Sequence, residues 1–333
     1  MTNSREIRLT SRPNGLPTAA NFELHSTTLP DPAGGEVQVR NRWMSVDPFM
    51  RLRMNDMPGG PPPFQLGHAL DGDAIGEVIA SNDPSLVVGD LVQSGFGWRE
   101  AFNAPASAVR RLDPGSLPPQ AFLGVAGMPG LTAYAGLQRV ADLRDGDVVF
   151  VSGAAGTVGS LVCQMAKARG HMVIGSAGGA RKGAYLKEIG VDRCIDYKAE
   201  EGLTGALLAA APDGIDVYFD NVGGEHLEAA ITAGRPSARI VLCGAISMYN
   251  RMTPPVGPRN PILMIAKQMR MEGVTGFAQM HLMADFQRDL AQWVQGGKVT
   301  WKETVFEGIE KAPEAFLGLF EGENIGKMLV KLA

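Results

Sequence analysis

The sequence predicts an α/β protein of two units, one β-rich and one built on a doubly wound parallel sheet, and three observations carry that expectation. From Asp147 onward, apolar runs alternate with helical stretches at the spacing of repeated strand–helix units. The first of those runs passes directly into a glycine turn and a helix start, VVFVSGAAGTVG at 148–159. Before about residue 121 the chain instead reads as short β-runs separated by Pro/Gly punctuation, as at 30–35 and 58–63.

The N-terminal strands are expected at 36–40, 74–80, 91–94 and 108–112. Parallel strands are expected at 148–152, 172–176, 193–196, 217–221, 240–244 and 273–277, with helices at 158–169, 180–189, 203–210 and 225–233 between them. Six strands in that order complete a doubly wound dinucleotide fold. After a helix at 282–295, the segments 300–307, 313–320 and 327–332 resemble the first region and return to complete it. One unit therefore spans 1–121 and 293–333, the other 122–292, with the active cleft between them.

A chain of 333 residues is too long for one compact core and suits two domains. Its 42 glycines fall in no low-complexity tract and fit tight strand–helix turns. A net charge of -4 gives no electrostatic reason to bind nucleic acid or an anionic membrane. No stretch approaches the ~18 apolar residues of a spanning helix. The first ten residues are charged and lack an apolar core, so they do not read as a secretory signal, and a cytoplasmic setting is expected. Cys163, Cys194 and Cys243 are scattered, which excludes a four-cysteine zinc lobe and argues against a disulfide framework.

In the loop at 153–159, Gly156 and Gly159 match the second and third glycines of G-x-G-x-x-G, and Ala154 stands at the first. Glycine lets the backbone approach a pyrophosphate, and the helix opening at Thr157 and Val158 offers free N–H groups and a positive dipole end. An NAD enzyme places Asp or Glu at the end of the second strand to hold the ribose 2′-hydroxyl. Here VIGSAGGARK at 173–182 carries no acid and ends on Arg181 and Lys182. Such charge suits a 2′-phosphate, with Lys182 as a point charge and Arg181 as a possible fork, so NADPH is the expected cofactor.

Longer motifs carry a resemblance. WMSVDPFMR at 43–51 is similar to an SVDPYMR element, and GMPGLTAY at 127–134, YFDNVGG at 218–224, CGAISMYN at 243–250 and GENIGK at 322–327 follow in order. Together they resemble the prostaglandin reductase and alkenal/enone double-bond reductase family, zinc-free medium-chain dehydrogenases/reductases that include the bacterial curcumin reductases. The resemblance implies a GroES-like catalytic domain, a Rossmann NADP-binding domain and a homodimer. It also implies a 2′-phosphate lysine at Lys182 with Gly178 in the preceding turn, and Tyr197 near the same phosphate. Asn221 would face the cofactor, Cys243 and Tyr249 would bracket the loop after the fifth strand, Phe277 would lie in the next edge segment, and Asn324 would reach the nicotinamide side.

Plainer roles stay open for several of these residues. Tyr197 could cap a strand, Asn221 could be a left-handed turn residue, Cys243 could be core, and Asn324 sits in a turn that favours Asn anyway. The chain also departs from the family pattern. Small residues at 58–63 stand where a substrate-facing tyrosine is frequent, which implies a wider pocket, and Phe49 replaces another tyrosine. Gly67-His68-Ala69 echoes the Gly-His-Glu of zinc alcohol dehydrogenases, but a single His is not a zinc site.

The implied activity is NADPH-dependent reduction of the activated C=C bond of an apolar enone or enal, with hydride to the β-carbon and a proton to the α-carbon. Tyr249 is the best protein candidate to donate to the developing oxyanion, with the cofactor's ribose hydroxyl as an alternative, and a packed loop tyrosine with no chemical role stays open. Arg251 and Arg259 could orient an acidic substrate tail or be solvated. Met44, Met50, Met54, Met57, Met248 and Met252 are expected near the cleft, with core filling as the alternative. A quinone reductase and a non-catalytic NADPH-binding protein are the competing functions.

Overall fold

The computed structural model describes residues 1–199, 202–251, 253 and 257–332. Its β-rich unit begins with strands β1 (Thr2–Leu9), β2 (Phe22–Leu29), β3 (Glu36–Ser45), β4 (Ala74–Ser81), β5 (Leu91–Ser94), β6 (Ala101–Pro105) and β7 (Arg110–Arg111). A helix, α1 (Met128–Ala135), leads into β8 (Val148–Val151), α2 (Thr157–Ala168), β9 (Met172–Ala177), α3 (Ala180–Glu188) and β10 (Arg193–Asp196). Then come α4 (Leu203–Ala210), β11 (Ile215–Asp220), α5 (Glu225–Ala233), β12 (Gly234–Leu242), α6 (Pro261–Ala266), β13 (Arg270–Gly273) and α7 (Met283–Gln295). The chain closes with β14 (Glu303–Glu307), α8 (Ala312–Glu321) and β15 (Lys327–Lys331).

The central sheet has the order β10-β9-β8-β11-β12-β13, and every pair in it is parallel. Its strands are apolar on both faces because helices cover both. Val149, Val151, Val173, Val217, Phe219 and Val241 pack one way against α1 and α2. The alternate residues Phe150, Ile174, Ile195, Tyr218 and Ile240 pack the other way against α4 and α5. The order reverses between β8 and β11, the switch point at which such sheets bind ligands.

The second sheet runs β14-β15-β3-β4-β5-β7, with β6 also paired to β3. The last two strands of the chain thus join the N-terminal sheet, as the sequence implied. β1 and β2 form a separate hairpin. Trp98 anchors it, stacking on Phe22 at 6.1 Å and meeting Phe316 of α8 edge-on at 6.0 Å.

Several elements differ from expectation. The sixth parallel strand is β13, not 273–277: it pairs in register with Arg239–Leu242 and ends at Gly273, and Phe277 opens a short 3-10 helix, Phe277–Leu282. The segment 108–112 yields only the two-residue β7, because the 3-10 turn Ala106–Ala108 occupies its start. β1, β2, β6, α1 and α6 were not foreseen. Among the described residues, no helix is long and apolar enough to cross a membrane.

Candidate active site

The loop after β8 turns at Gly153, whose φ is +57°, and delivers the chain into α2. A Cβ on Gly159 would sit 2.4 Å from the Gly153 carbonyl oxygen, so turn and helix pack only with glycine there. Ala154, at the first glycine position of the fingerprint, is fully buried. Its methyl is accommodated because Gly175 opposite has none; a Cβ there would lie 3.0 Å away. Gly156 caps α2 without a side-chain bond. The first-turn N–H groups of Thr157, Val158 and Gly159 have no carbonyl one turn back within the helix, which leaves them open to an anion.

The loop after β9 brings cations together. Lys182, in the first turn of α3, is half-buried. Burial, and then the charges of Arg181 and Lys198, push its ammonium down to about 8. No carboxylate pairs with any of these three among the described residues. Gly178 is required by the approach of the next loop: a Cβ on it would lie 2.8 Å from Lys198 Cε and 3.1 Å from the Tyr197 hydroxyl. Tyr197 directly follows β10, is 42% exposed and meets the His226 ring edge-on at 5.3 Å; the carboxylate of Asp196 holds the two loops, accepting from Gly179 N at 3.0 Å and Lys198 N at 3.1 Å. Lys198 was not singled out in the sequence, although it follows Tyr197 directly.

At the switch point, Asn221 follows β11 and is not left-handed. Its side-chain amide donates to the Ser152 carbonyl at 2.8 Å, tying the fourth strand's end to the phosphate loop. Asp220 organises the turn beneath it, and the sequence reading missed this residue. One oxygen accepts from the Tyr218 hydroxyl (2.6 Å), Val222 N (2.9 Å) and Gly223 N (2.7 Å). Burial raises its pKa against those bonds. The Asp220 carbonyl accepts from Cys243 N and Gly244 N at 2.9 and 3.0 Å, so the loop after β12 is fastened to the loop after β11. Burial, reinforced by Asp220, pushes the Cys243 thiol up to about 12. That holds it in the thiol form at neutral pH, and its backbone N–H makes the contact to Asp220.

Tyr249 closes that loop. Its hydroxyl oxygen accepts from Ala245 N at 3.2 Å, which leaves the hydroxyl proton without an acceptor among the described residues. Burial raises its pKa against the Ala245 bond, with Cys243 and Asp220 adding to the rise, so it stays a donor. Arg51, buried in the N-terminal unit, reaches across and donates to Asn250 Oδ1 at 2.9 Å. Asn324 comes from the other side, on the segment after α8, with its amide on the Gly326 carbonyl at 3.0 Å. Gly326 N donates to the Ala155 carbonyl at 2.8 Å, fixing that segment to the phosphate loop. Gly156, Gly178, Lys182, Tyr197, Asn221, Cys243, Tyr249 and Asn324 are thereby gathered at one edge. Phe277 lies four residues beyond β13 and is 70% exposed.

Several other candidates take the plainer role left open for them. Met44, Met50 and Met54 are core residues, packed with Trp98 and Phe316. Met57 is exposed, Met248 is half-buried, and Met252 lies outside the described residues. Arg259 is engaged by Glu228 at 2.6 Å, whereas Arg251 is solvated.

The donor set does not fit zinc. His68 is exposed with Nδ1 on the Leu66 carbonyl at 3.1 Å; Cys163 is buried in α2 and Cys243 is half-buried in the loop after β12. No group of three His, Cys, Asp or Glu that could hold a metal occurs among the described residues. Activity is therefore expected to survive dialysis against a strong chelator, with less than stoichiometric zinc by elemental analysis. Activity lost on chelation and restored by zinc would contradict this.

A parallel dinucleotide sheet whose carboxyl edge meets a β-rich unit defines a two-domain medium-chain dehydrogenase/reductase. Family models described as the N-terminal domain of oxidoreductase and as zinc-binding dehydrogenase match residues 5–112 and 157–295. The chain is 42% identical to prostaglandin reductase 1 of Rattus norvegicus over 95% of each chain. It is 38% identical to the NADPH-dependent curcumin reductase of Escherichia coli (strain K12) over 99% of this chain and 97% of that one. CurA of Vibrio vulnificus, solved in complex with NADPH, superposes with a TM-score of 0.94 at 39% identity over 99% of each chain. The chain belongs to the family of prostaglandin and curcumin reductases.

Proposed function

We propose that this chain reduces the activated carbon–carbon double bond of α,β-unsaturated ketones and aldehydes with NADPH. The observation that carries the reading is the cluster of Arg181, Lys182 and Lys198, with no ion-pair partner among the described residues, where an NADH enzyme presents a carboxylate. That cluster and the open amides of α2 fit a dinucleotide bearing a 2′-phosphate. The names of the relatives, and the NADPH held by the neighbouring structure, support the same cofactor and chemistry.

When bound, NADPH supplies the hydride. The amides of Gly156, Thr157, Val158 and Gly159 receive the pyrophosphate, and Lys182, with Tyr197 over Gly178, receives the 2′-phosphate. Asn221, the backbone at Cys243, Phe277 and Asn324 flank the nicotinamide end. Tyr249 points its free hydroxyl proton at the substrate carbonyl oxygen, where negative charge grows as the β-carbon takes the hydride. A proton from the Tyr249 hydroxyl, the cofactor's ribose hydroxyl or water would then add at the α-carbon, so that one hydride and one proton add across the C=C bond and the carbonyl is retained. Following NADPH absorbance with an enone, an enal and a quinone in parallel, with mass analysis of products, tests this. Turnover of the quinone alone, or an allylic alcohol as product, would refute it.

The catalytic domain on this reading is 1–121 with 293–333 and the nucleotide domain 122–292. Helix α7 is continuous through Gln295, so its last turn travels with the nucleotide domain. A homodimer through β13 is supported by a fully exposed edge strand beside Ile262 and Ile265, 66% and 74% exposed. Light scattering should give twice the 35.4 kDa chain mass, and a monomer at micromolar concentration would contradict it. Three free cysteines support a cytoplasmic location, which cell fractionation tests; recovery from another compartment would contradict it.

A further inference from the structure

The segment from Gly322 to Gly326 forms a strap between α8 and β15, and its two ends are held very differently. At its far end Gly326 donates to Ala155 and pairs with Gly156. With φ at +68° and a Cβ position 1.8 Å from the Lys302 carbonyl oxygen, Gly326 admits no side chain, so this end is rigid. At the near end the guanidinium of Arg181 donates to the Glu323 carbonyl. Lys182 Nζ stands 3.4 Å from where a side chain at Gly322 would begin. Asn324 lies between the two ends.

Arg181 is an exposed residue beside Lys182 and Lys198, and like charges held together repel. A guanidinium carries five donors in a planar fork, so one edge can keep the Glu323 carbonyl while another takes an anion. A dianion seated among Arg181, Lys182 and Lys198 would cancel the repulsion and fix both edges.

We propose that Arg181 couples the 2′-phosphate to the strap: the phosphate clamps Gly322–Gly326 of the catalytic unit onto the nucleotide unit and thereby sets Asn324. The inference rests on the NADPH reading above. It places part of the discrimination against NADH in turnover at saturation, because binding energy far from the reacting carbon is spent on ordering a residue near it.

The test uses adenosine 2′,5′-bisphosphate and 5′-AMP, each at saturation, with the full-length protein and its Arg181→Met variant. Amide hydrogen exchange of the strap peptide is read together with calorimetric affinity. In the wild type, the bisphosphate should slow strap exchange about tenfold more than 5′-AMP, and in Arg181→Met the two ligands should protect equally. The ratio of kcat with NADPH to kcat with NADH, both saturating, should fall several-fold in the variant. Equal protection by the two ligands in the wild type, or undiminished selective protection in Arg181→Met, overturns the coupling. A bisphosphate that binds no more tightly than 5′-AMP to the wild type overturns the NADPH reading itself, a separate result.

Discussion

Lys182→Ala is expected to raise the Kd for NADPH by roughly ten- to a hundred-fold, about 1.4–2.8 kcal/mol, and to leave NADH binding nearly unchanged. The ammonium is half-buried, has no carboxylate partner among the described residues, and lies beside two further cations. A 2′-phosphate is mostly dianionic at neutral pH, so the cluster gains most when that charge arrives. The pH dependence follows from the same geometry. With Lys182 pushed down to about 8 in the free protein, the charged form is complete below that pH and is lost as pH rises through it. The wild type's preference for NADPH should therefore weaken above pH 8, and the variant should lack that step. Titration of both cofactors into both proteins at pH 7 and pH 9 checks this, and equal losses for NADPH and NADH would remove Lys182 from the phosphate site.

Tyr249→Phe is expected to lower kcat by about 10- to 100-fold with little change in NADPH affinity. The substitution keeps the ring and removes only the hydroxyl. Its oxygen already accepts from Ala245 N, so the proton is free to point outward. A donor that meets charge only as it develops contributes to the transition state and little to the ground state. The loss should be smaller than for a sole oxyanion donor, because the cofactor's ribose hydroxyl can substitute in part. Single-turnover NADPH oxidation with saturating enone isolates the hydride step. A variant as fast as the wild type there would make Tyr249 a packing residue.

The sequence was most informative where burial leaves a repeated mark. β8, β9, β10 and β11 lie between helical layers and read as apolar runs, so their positions were predicted to within about two residues. β13 has one side open, and its Arg-Met-Glu-Gly has no apolar run; the apolar Val274 and Phe277 beyond it drew the prediction past its end. β1 and β2 were missed for a related reason: they pair with each other and keep one face in solvent. At the site, the phosphate loop and the Arg181-Lys182 pair were visible because each is a local pattern. Asp220 lay inside a quoted motif, but its part emerges only from the turn amides it accepts. The contacts from Arg51 to Asn250 and from Arg181 to Glu323 span 199 and 142 residues. No local pattern can show such a pair, and here both join the two units.

The place of β15 in its sheet has a consequence for synthesis. β15 is an interior strand, set between β14 and β3, with Met328, Leu329 and Val330 no more than 1% exposed. The strands before residue 112 are made earlier, yet their sheet cannot close until Lys327–Lys331 has been made. Residues 148–273 form their own sheet from one continuous stretch and can fold earlier, as units generally do during translation. Until β15 is made, only the Trp43–Ser45 stretch of β3 lacks its second neighbour, an open template for another nascent chain. A chain stopped just short of Lys327 would keep an intact nucleotide fold and a permanently open sheet beside it.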